Sequence, residues 1–185
     1  RIDVRAVGRI TPPPRWAEET GFVESAVLPS TRELWVSQMT TDSVHRFELD
    51  GTEWIERYDA GGRWPKVIVA GGSEDTLWVS NWDSESVARL TRTTGAIEEI
   101  IAVGGQPRGM VLTEDDRYLW VCLFSTGDIE IIDTAENRVV DSIGLPAGAA
   151  RHIVANPDRT KLYYSDMYHG TIGIIDPETR TVVRT

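Results

Sequence analysis

The chain has 185 residues, of which 41% are hydrophobic and 26% are charged, and this is enough apolar material for one globular core. Its formal net charge of −10 argues against a general nucleic-acid binder, which needs a basic face, and against docking to an anionic membrane surface. No apolar run approaches the ~20 residues that span a bilayer, and the single cysteine, Cys122, cannot form an internal disulfide.

The first 21 residues lie outside the pattern that follows them. Residues 1–10 alternate enough to predict one strand, and residues 11–14 (Thr-Pro-Pro-Pro) predict an extended linker. The chain begins with Arg1 rather than Met, which we interpret as a removed leader or as an excerpt of a longer protein.

From residue 22 onward the chain repeats one unit, anchored by a leucine that an aromatic residue follows. The anchor leucines are spaced by 43, 42 and 43 residues, a regularity typical of repeat architectures. These leucines are Leu34, Leu77, Leu119 and Leu162. Ten residues after each of them stands an aliphatic residue: Val44, Val87, Ile129 and Ile172. Twelve residues before each stand Phe22, Pro65, Pro107 and Ala150.

Each unit is predicted to form four short strands. In the second unit the strands are expected at 67–70, 77–80, 87–91 and 97–101. Val, Ile, Trp and Thr fill these segments, while Gly, Asp, Asn and Pro fill the gaps between them. No segment has a helical apolar stripe of useful length.

The second strand of each unit indicates the architecture. Its consecutive apolar residues predict burial on both faces, and the inner strands of a β-propeller blade meet this condition because each blade packs between two others. We therefore predict an all-β propeller with four four-stranded antiparallel blades at about 22–61, 65–104, 107–146 and 150–185. Because open blade faces favour aggregation, we expect an arc of a larger ring of the seven-bladed type. The anchor aromatics are predicted to lie in the core: Trp35, Trp78, Trp120 and Tyr163.

The repeats resemble two related propeller families. Residues 105–109 (Gly-Gln-Pro-Arg-Gly), 119–121 (Leu-Trp-Val) and 129–134 (Ile-Glu-Ile-Ile-Asp-Thr) resemble the YVTN-type repeat of bacterial surface and periplasmic propellers. Residues 77–79 (Leu-Trp-Val) and 94–99 (Thr-Gly-Ala-Ile-Glu-Glu) resemble the streptogramin (virginiamycin B) lyase-like repeat. The resemblance covers residues 22–185. It implies the propeller fold and a periplasmic or extracellular location.

The lyase-like resemblance also implies a metal-assisted ring-opening elimination that uses His and Glu residues. The three histidines of this chain are His45, His152 and His169, and none lies in a His…Glu…His cluster. No catalytic residue is therefore carried over from that family, and catalytic blades would have to lie outside this sequence.

A column of cations is the first candidate site. In a propeller, the loops between the fourth strand and the next first strand share a face with the loops between the second and third strands, and ligands usually meet these loops. One residue after the Pro/Ala column stand Lys66, Arg108 and Arg151, with Val23 in the first unit. They could form a cationic collar that binds a carboxylate or phosphate. Alternatively, each pairs with an acidic neighbour and fixes blade packing.

Aromatic residues in polar loops are the second candidate. Trp82, Phe124 and Tyr168 follow the second strands of three units, and we interpret them as contacts for a ligand or partner or, alternatively, as caps on the core. His169 in the last of these loops and His152 beside Arg151 complete the candidates, although a lone histidine is more often structural. His45 is expected to point outward from its strand.

No metal site and no cofactor are predicted, because the loop acids form no ladder and no calcium-loop motif occurs. The leading hypothesis is a non-catalytic propeller module that binds a small anionic molecule or a protein partner. One alternative is a streptogramin-lyase-like or quinoprotein-like enzyme with its active face at the channel mouth. Another is a structural module in a larger assembly, with self-association through open blade edges.

Overall fold

The computed structural model describes residues 21–49, 53–72, 75–113, 116–145 and 148–184. Within these ranges sixteen strands form four separate antiparallel sheets, each of four strands in chain order. The strand and the linker that we predicted for the N-terminus lie in residues 1–20, outside the described residues.

The four sheets are named blades 1 to 4. Blade 1 comprises β1 (Phe22–Leu28), β2 (Glu33–Gln38), β3 (Ser43–Glu48) and β4 (Trp54–Asp59), with one 3-10 turn at Met39–Thr41. Blade 2 comprises β5 (Pro65–Ala70), β6 (Thr76–Asn81), β7 (Ser86–Thr91) and β8 (Ile97–Ala102). Blade 3 comprises β9 (Pro107–Thr113), β10 (Tyr118–Leu123), β11 (Ile129–Asp133) and β12 (Arg138–Ile143). Blade 4 comprises β13 (Ala150–Ala155), β14 (Leu162–Asp166), β15 (Thr171–Asp176) and β16 (Thr181–Arg184).

Successive blades meet along their inner strands. β1 contacts β5, β5 contacts β9, and β9 contacts β13, so the first strands of all four blades lie side by side around one axis. The predicted all-β propeller architecture is confirmed, and each strand predicted for the second repeat falls within an observed strand. Hairpin connections and side-by-side inner strands are what a radial repeat of small sheets requires.

Each of the three blade interfaces holds its own apolar cluster. Trp35 packs with Leu77 between blades 1 and 2, and Trp78 packs with Leu119 between blades 2 and 3. Trp120 belongs to the cluster between blades 3 and 4. The anchor tryptophan therefore faces the following blade, while the anchor leucine faces the preceding one. Neighbouring side chains along a strand point to opposite faces, so this arrangement buries both.

Two indole N–H groups within these interfaces are paired. The Trp35 indole donates to the Glu33 carboxylate at 3.0 Å, and the Trp120 indole donates to the Thr113 hydroxyl at 2.8 Å. Glu33 also accepts from Arg92 of blade 2 at 2.7 Å. These bonds matter because a buried donor without a partner costs about 1–3 kcal/mol.

The prediction that every anchor aromatic lies in the core is wrong for the fourth repeat. Tyr163 is 37% exposed, because Leu162 and Tyr164 face blade 3 and Tyr163 therefore lies on the opposite face of the sheet. Ile172 on the neighbouring strand is 66% exposed. Burial on both faces holds for β6 and β10, while β2 and β14 at the two ends are buried on one face and partly open on the other.

Candidate functional site

The inner strands share an irregularity just after they begin. In β5 the pairing register shifts between Pro65 and Ile68, and equivalent shifts occur near the starts of β1, β9 and β13. Such a bulge adds a residue to one strand and re-aims its side chain. The three predicted cations all lie in these irregular stretches: Lys66, Arg108 and Arg151. We call these three residues the collar.

Serine hydroxyls on the second strands hold the collar backbone in place. The Ser37 hydroxyl accepts the N–H of Glu24 at 3.2 Å and donates to the carbonyl oxygen of Lys66 at 2.6 Å. The Ser80 hydroxyl likewise donates to the carbonyl oxygen of Arg108, at 3.0 Å. Each serine thus ties the bulge of its own blade to the collar residue of the next blade.

Blade 3 meets its successor differently. Cys122 stands where the other blades have serine, and its thiol is a weak donor. The backbones approach instead: a Cβ at Gly109 would lie 2.7 Å from His152 Cα and 2.8 Å from the Arg151 carbonyl oxygen. Only glycine fits there without a shift of one inner strand. This bridging role of the serine column was not predicted, because in the sequence the serine simply ends the strand motif.

The collar residues lie close enough to affect one another. Burial lowers the pKa of Arg108, and the charge of Arg151 lowers it further. Burial and the charge of Arg108 likewise lower the pKa of Lys66. Mutual repulsion of partly buried cations costs stability unless an anion offsets it.

One carboxylate faces the collar from blade 1. Glu24 lies 3.5 Å from an Arg108 guanidinium nitrogen, and the Arg108 side chain is only 14% exposed. The same carboxylate contributes to the electrostatic environments of Lys66 and His152. The pairing alternative raised from the sequence therefore holds for Arg108, but one carboxylate offsets only one of three full charges.

The two site histidines have different surroundings. His152 is exposed on β13, yet partial desolvation of its imidazole and the charge of Arg108 lower its pKa. His169 lies in the loop after β14, where its Nδ1 is 2.7 Å from an Asp166 carboxylate oxygen. Asp166 also accepts the backbone N–H groups of Tyr168 and His169, so that histidine is part of a capped turn.

The predicted loop aromatics are brought together on the same face as the collar. The Trp82 and Phe124 ring centroids are 5.0 Å apart, and those of Phe124 and Tyr168 are 6.0 Å apart. Both distances are typical of interacting aromatic pairs. We call these three residues the aromatic row. Tyr168 is 67% exposed, whereas Trp82 and Phe124 are half-buried.

The collar contacts the aromatic row at one end and the methionine that precedes Tyr168 at the other. The Lys66 ammonium lies 5.4 Å from the Trp82 ring centroid and 3.0 Å from the Met39 sulfur. At the other end, an Arg151 guanidinium nitrogen lies 3.5 Å from the Met167 sulfur. The structure therefore places a row of cations directly beside a row of soft apolar groups.

Trp64 is a further residue on this face, and it was not among the predicted site residues. It is exposed, has φ 57°, and its N–H donates to Asp42 at 2.8 Å. The Lys66 ammonium lies 5.9 Å from its ring. A large aromatic in a turn immediately before Pro65 was the available signal.

His45 contradicts our expectation that it points outward. It is fully buried, with Nε2 2.7 Å from the Gln38 side-chain oxygen and with Nδ1 accepting from the Trp54 indole at 3.2 Å. The indole can only donate, so the proton of the neutral ring lies on Nε2. Burial, with a contribution from the charge of Arg57, lowers the pKa of His45 to about 4.

A cleft of about 620 Å³ lies on the opposite face, among the turns between first and second strands. Two of its charged groups pair with each other, since Asp116 lies 3.3 Å from Arg159 and also accepts the N–H of Gly72. The third, Arg89, pairs with Glu98 at 3.4 Å. Its lining contains none of the predicted site residues, and we place the candidate site at the collar instead.

Metal-binding clusters and membrane-spanning helices are both absent from the described ranges. Those ranges contain no group of three or more His, Cys, Asp and Glu side chains placed to hold a metal ion. The same part of the chain has no helix with the length and apolar character needed to cross a bilayer.

Comparison with known proteins supports the fold. The chain superimposes on hydrazine synthase of Kuenenia stuttgartiensis with a TM-score of 0.81 and 19% identity, over 98% of this chain and 52% of that one. A catalytically inactive virginiamycin B lyase from Staphylococcus aureus, solved with quinupristin, matches with a TM-score of 0.76 and 19% identity, over 94% and 56%. At these identities the likeness establishes four blades of a β-propeller, a class that includes enzymes and binding proteins.

At the sequence level the chain is similar to antigen Lp49 of Leptospira interrogans, with 32% identity over 184 residues. The match covers 96% of this chain and 40% of that protein, so the chain spans well under half the length of the relative it matches. No protein-family model matches the sequence.

Proposed function

We propose that this chain is a propeller module that binds a small anionic molecule at the mouth of the central channel. The observation that carries the proposal is the collar: three cations stand in equivalent bulges of three consecutive blades, and one carboxylate, Glu24, lies 3.5 Å from Arg108. They concentrate positive charge at one point of a chain whose net charge is −10.

The chemistry of the collar suits a carboxylate or a phosphate. A guanidinium presents a planar fork of donors that matches both groups, and an ammonium adds a point charge. Arg108 is largely shielded from water, which strengthens its attraction for an anion. Its Nε is buried and has no hydrogen-bond partner among the described atoms.

Blade 1 provides an internal contrast that supports this assignment. Its bulge carries Val23 and Glu24 in place of a cation, so the positive charge is confined to blades 2, 3 and 4. We infer that an anion binds toward the side of blades 3 and 4, where Arg108 and Arg151 adjoin, while Glu24 holds Arg108 in place from the opposite side.

Titration calorimetry with inorganic phosphate and with citrate tests the proposal. We expect binding to the wild type and at least a tenfold loss of affinity in Arg108→Met, which keeps length and apolar volume but removes the charge. The matched control is Arg138→Met, because Arg138 is an exposed arginine paired with Glu136 far from the collar. Equal affinities in all three proteins, or an equal loss in the control, would overturn the proposal.

We also propose a periplasmic or extracellular location, supported only by the family resemblance of the repeats. Fractionation of cells that express the natural gene tests this: recovery of the protein in the cytoplasmic fraction would refute it.

A further inference from the structure

In blades 2, 3 and 4 the collar contributes one cation per blade and the aromatic row contributes one aromatic per blade. Trp82 and Phe124 both stand five residues after their anchor leucines, and Tyr168 stands six after its own. Blade 1 lacks both partners, because Met39 occupies the aromatic position and Val23 the cation position. In blade 4 the equivalent position is Met167, and the aromatic Tyr168 is the next residue. An aromatic in this loop therefore accompanies the cation in three blades, and blade 1 has neither.

The aromatic row is not explained by core packing alone. Its three rings follow one another at 5.0 and 6.0 Å across three blades, while the interface clusters below them are made of other residues. Tyr168 is mostly exposed, and the neighbouring Trp64 and Met167 are exposed as well. Large apolar groups clustered at a surface beside charged groups are typical of a contact area for a ligand.

The two rows together define the chemistry of a matching ligand. The guanidinium and ammonium groups of the collar bind an anionic group. The rings of the aromatic row pack against another flat ring in offset or edge-on arrangements. Inorganic phosphate satisfies only the collar, and an uncharged arene satisfies only the row. A ring that bears a carboxylate contacts both, because Lys66 of the collar lies against Trp82 of the aromatic row. Arg151 lies against Met167, the residue directly before Tyr168.

We propose that the ligand class of this site is an aromatic carboxylate, whose carboxylate is bound by Arg108 and Arg151 and whose ring packs along Phe124 and Tyr168. This inference rests on the proposed function and narrows it. Stacking and sulfur contacts of this kind contribute roughly as much as one hydrogen bond each, so the ring adds affinity without replacing the anion contact.

Calorimetry with a graded series of probes tests the ligand class. The probes are acetate, benzoate, 2-naphthoate and, as an uncharged arene, 2-naphthalenemethanol. We expect 2-naphthoate to bind at least tenfold more tightly than acetate, with benzoate between them, and the alcohol to bind at least tenfold more weakly than 2-naphthoate.

Two variants locate the ring. We expect Tyr168→Ser and Phe124→Leu each to weaken 2-naphthoate binding by threefold or more while leaving the acetate affinity unchanged. Tyr163→Ser is the matched control, because Tyr163 is an exposed tyrosine of the same blade that lies away from the aromatic row. It should leave both affinities as in the wild type.

The outcomes separate the two proposals. If acetate and phosphate bind but the aromatic acids gain nothing, the ligand class is wrong while the anion site stands. The ligand class is also wrong if the control weakens 2-naphthoate binding as much as Tyr168→Ser does. If no anion binds, or if the uncharged arene binds as tightly as 2-naphthoate, both proposals fail.

Discussion

Blades 3 and 4 carry the same residue types at the same repeat positions, but these side chains are buried in blade 3 and exposed in blade 4. The anchor aromatic is 1% exposed in blade 3 (Trp120) and 37% exposed in blade 4 (Tyr163). Ten residues after the anchor leucine, the isoleucine is fully buried in blade 3 (Ile129) and 66% exposed in blade 4 (Ile172). The residue type belongs to the repeat, but its burial depends on whether another blade covers it.

The open side of blade 4 thus has the composition of a blade interface and the exposure of a surface. Val154 on the inner strand and Val183 on the outer strand are exposed along with Tyr163 and Ile172. Apolar residues are exposed on all four strands of this sheet. Such patches on soluble proteins usually mark interaction sites, so this face is suited to packing against another sheet. Two comparisons of equivalent positions test how different the two blades are, and a third measurement concerns a buried side chain of blade 1.

The largest effect is expected from truncating the anchor aromatics. Trp120→Ala removes a side chain buried between blades 3 and 4 and should lower the free energy of unfolding by about 3–5 kcal/mol. Tyr163→Ala removes a partly exposed side chain and should lower it by roughly 1 kcal/mol or less. Urea titration followed by tryptophan fluorescence and by circular dichroism measures both.

An equal cost for the two substitutions would show that blade 4 is covered in solution. Repeating the titration of Tyr163→Ala at several protein concentrations then identifies a covering copy of the chain, because stability that depends on association changes with concentration.

A smaller effect on the free energy of unfolding is expected from pH, through the buried His45 of blade 1. The pKa of His45 is about 4 in the folded state and about 6.5 when unfolded. Between these values the unfolded state binds more protons, so the free energy of unfolding falls as pH drops from 6.5 to 4, by about 3 kcal/mol in total from this residue.

His45→Gln tests this linkage, since a glutamine does not titrate. The difference in unfolding free energy between wild type and variant should change by about 3 kcal/mol between pH 7 and pH 4. The measurement is urea denaturation at half-unit pH intervals. A constant difference across that range would show that His45 is accessible to protons in the folded protein.

The smallest effect is expected at the exposed isoleucine. Ile172→Thr should change the free energy of unfolding by less than about 0.5 kcal/mol, because the side chain is already mostly in water. Its matched control is Ile129→Thr, which buries a hydroxyl in a packed interface and should cost about 2 kcal/mol or more. Thermal denaturation of the two variants side by side distinguishes them, and similar losses would remove the contrast between blades 3 and 4.

Much of the fold was predictable because the residue types within each repeat indicate where its strands lie and which strands are buried. Leu77 and Trp78 are adjacent and both apolar, and only a strand buried on two faces explains this. The exposure of Tyr163 could not be predicted in the same way, because it depends on what lies beside blade 4 and not on the repeat itself. His45 was mispredicted for a related reason: Gln38 and Trp54, which satisfy its ring, come from the neighbouring strands.

The candidate site was predictable only in part. The collar was visible as a column of the repeat, the aromatic row was visible as aromatics in the loops after the second strands, and the structure brings each set together. The carboxylate that faces the collar was not visible, because Glu24 is 84 residues away from Arg108 in sequence and meets it only across the channel. Trp64 was missed because it lies outside the repeating columns.

The serine bridges between blades have a consequence for rearranging the chain. Ser37 and Ser80 each donate to a carbonyl oxygen that belongs to the following repeat, whereas blade 3 meets its successor through Gly109. Repeats of similar sequence therefore make different contacts with the repeat that follows them. A shuffled or circularly permuted gene with the same four units would break these junctions even though every blade remained intact, so the order of the blades is itself part of what the sequence encodes.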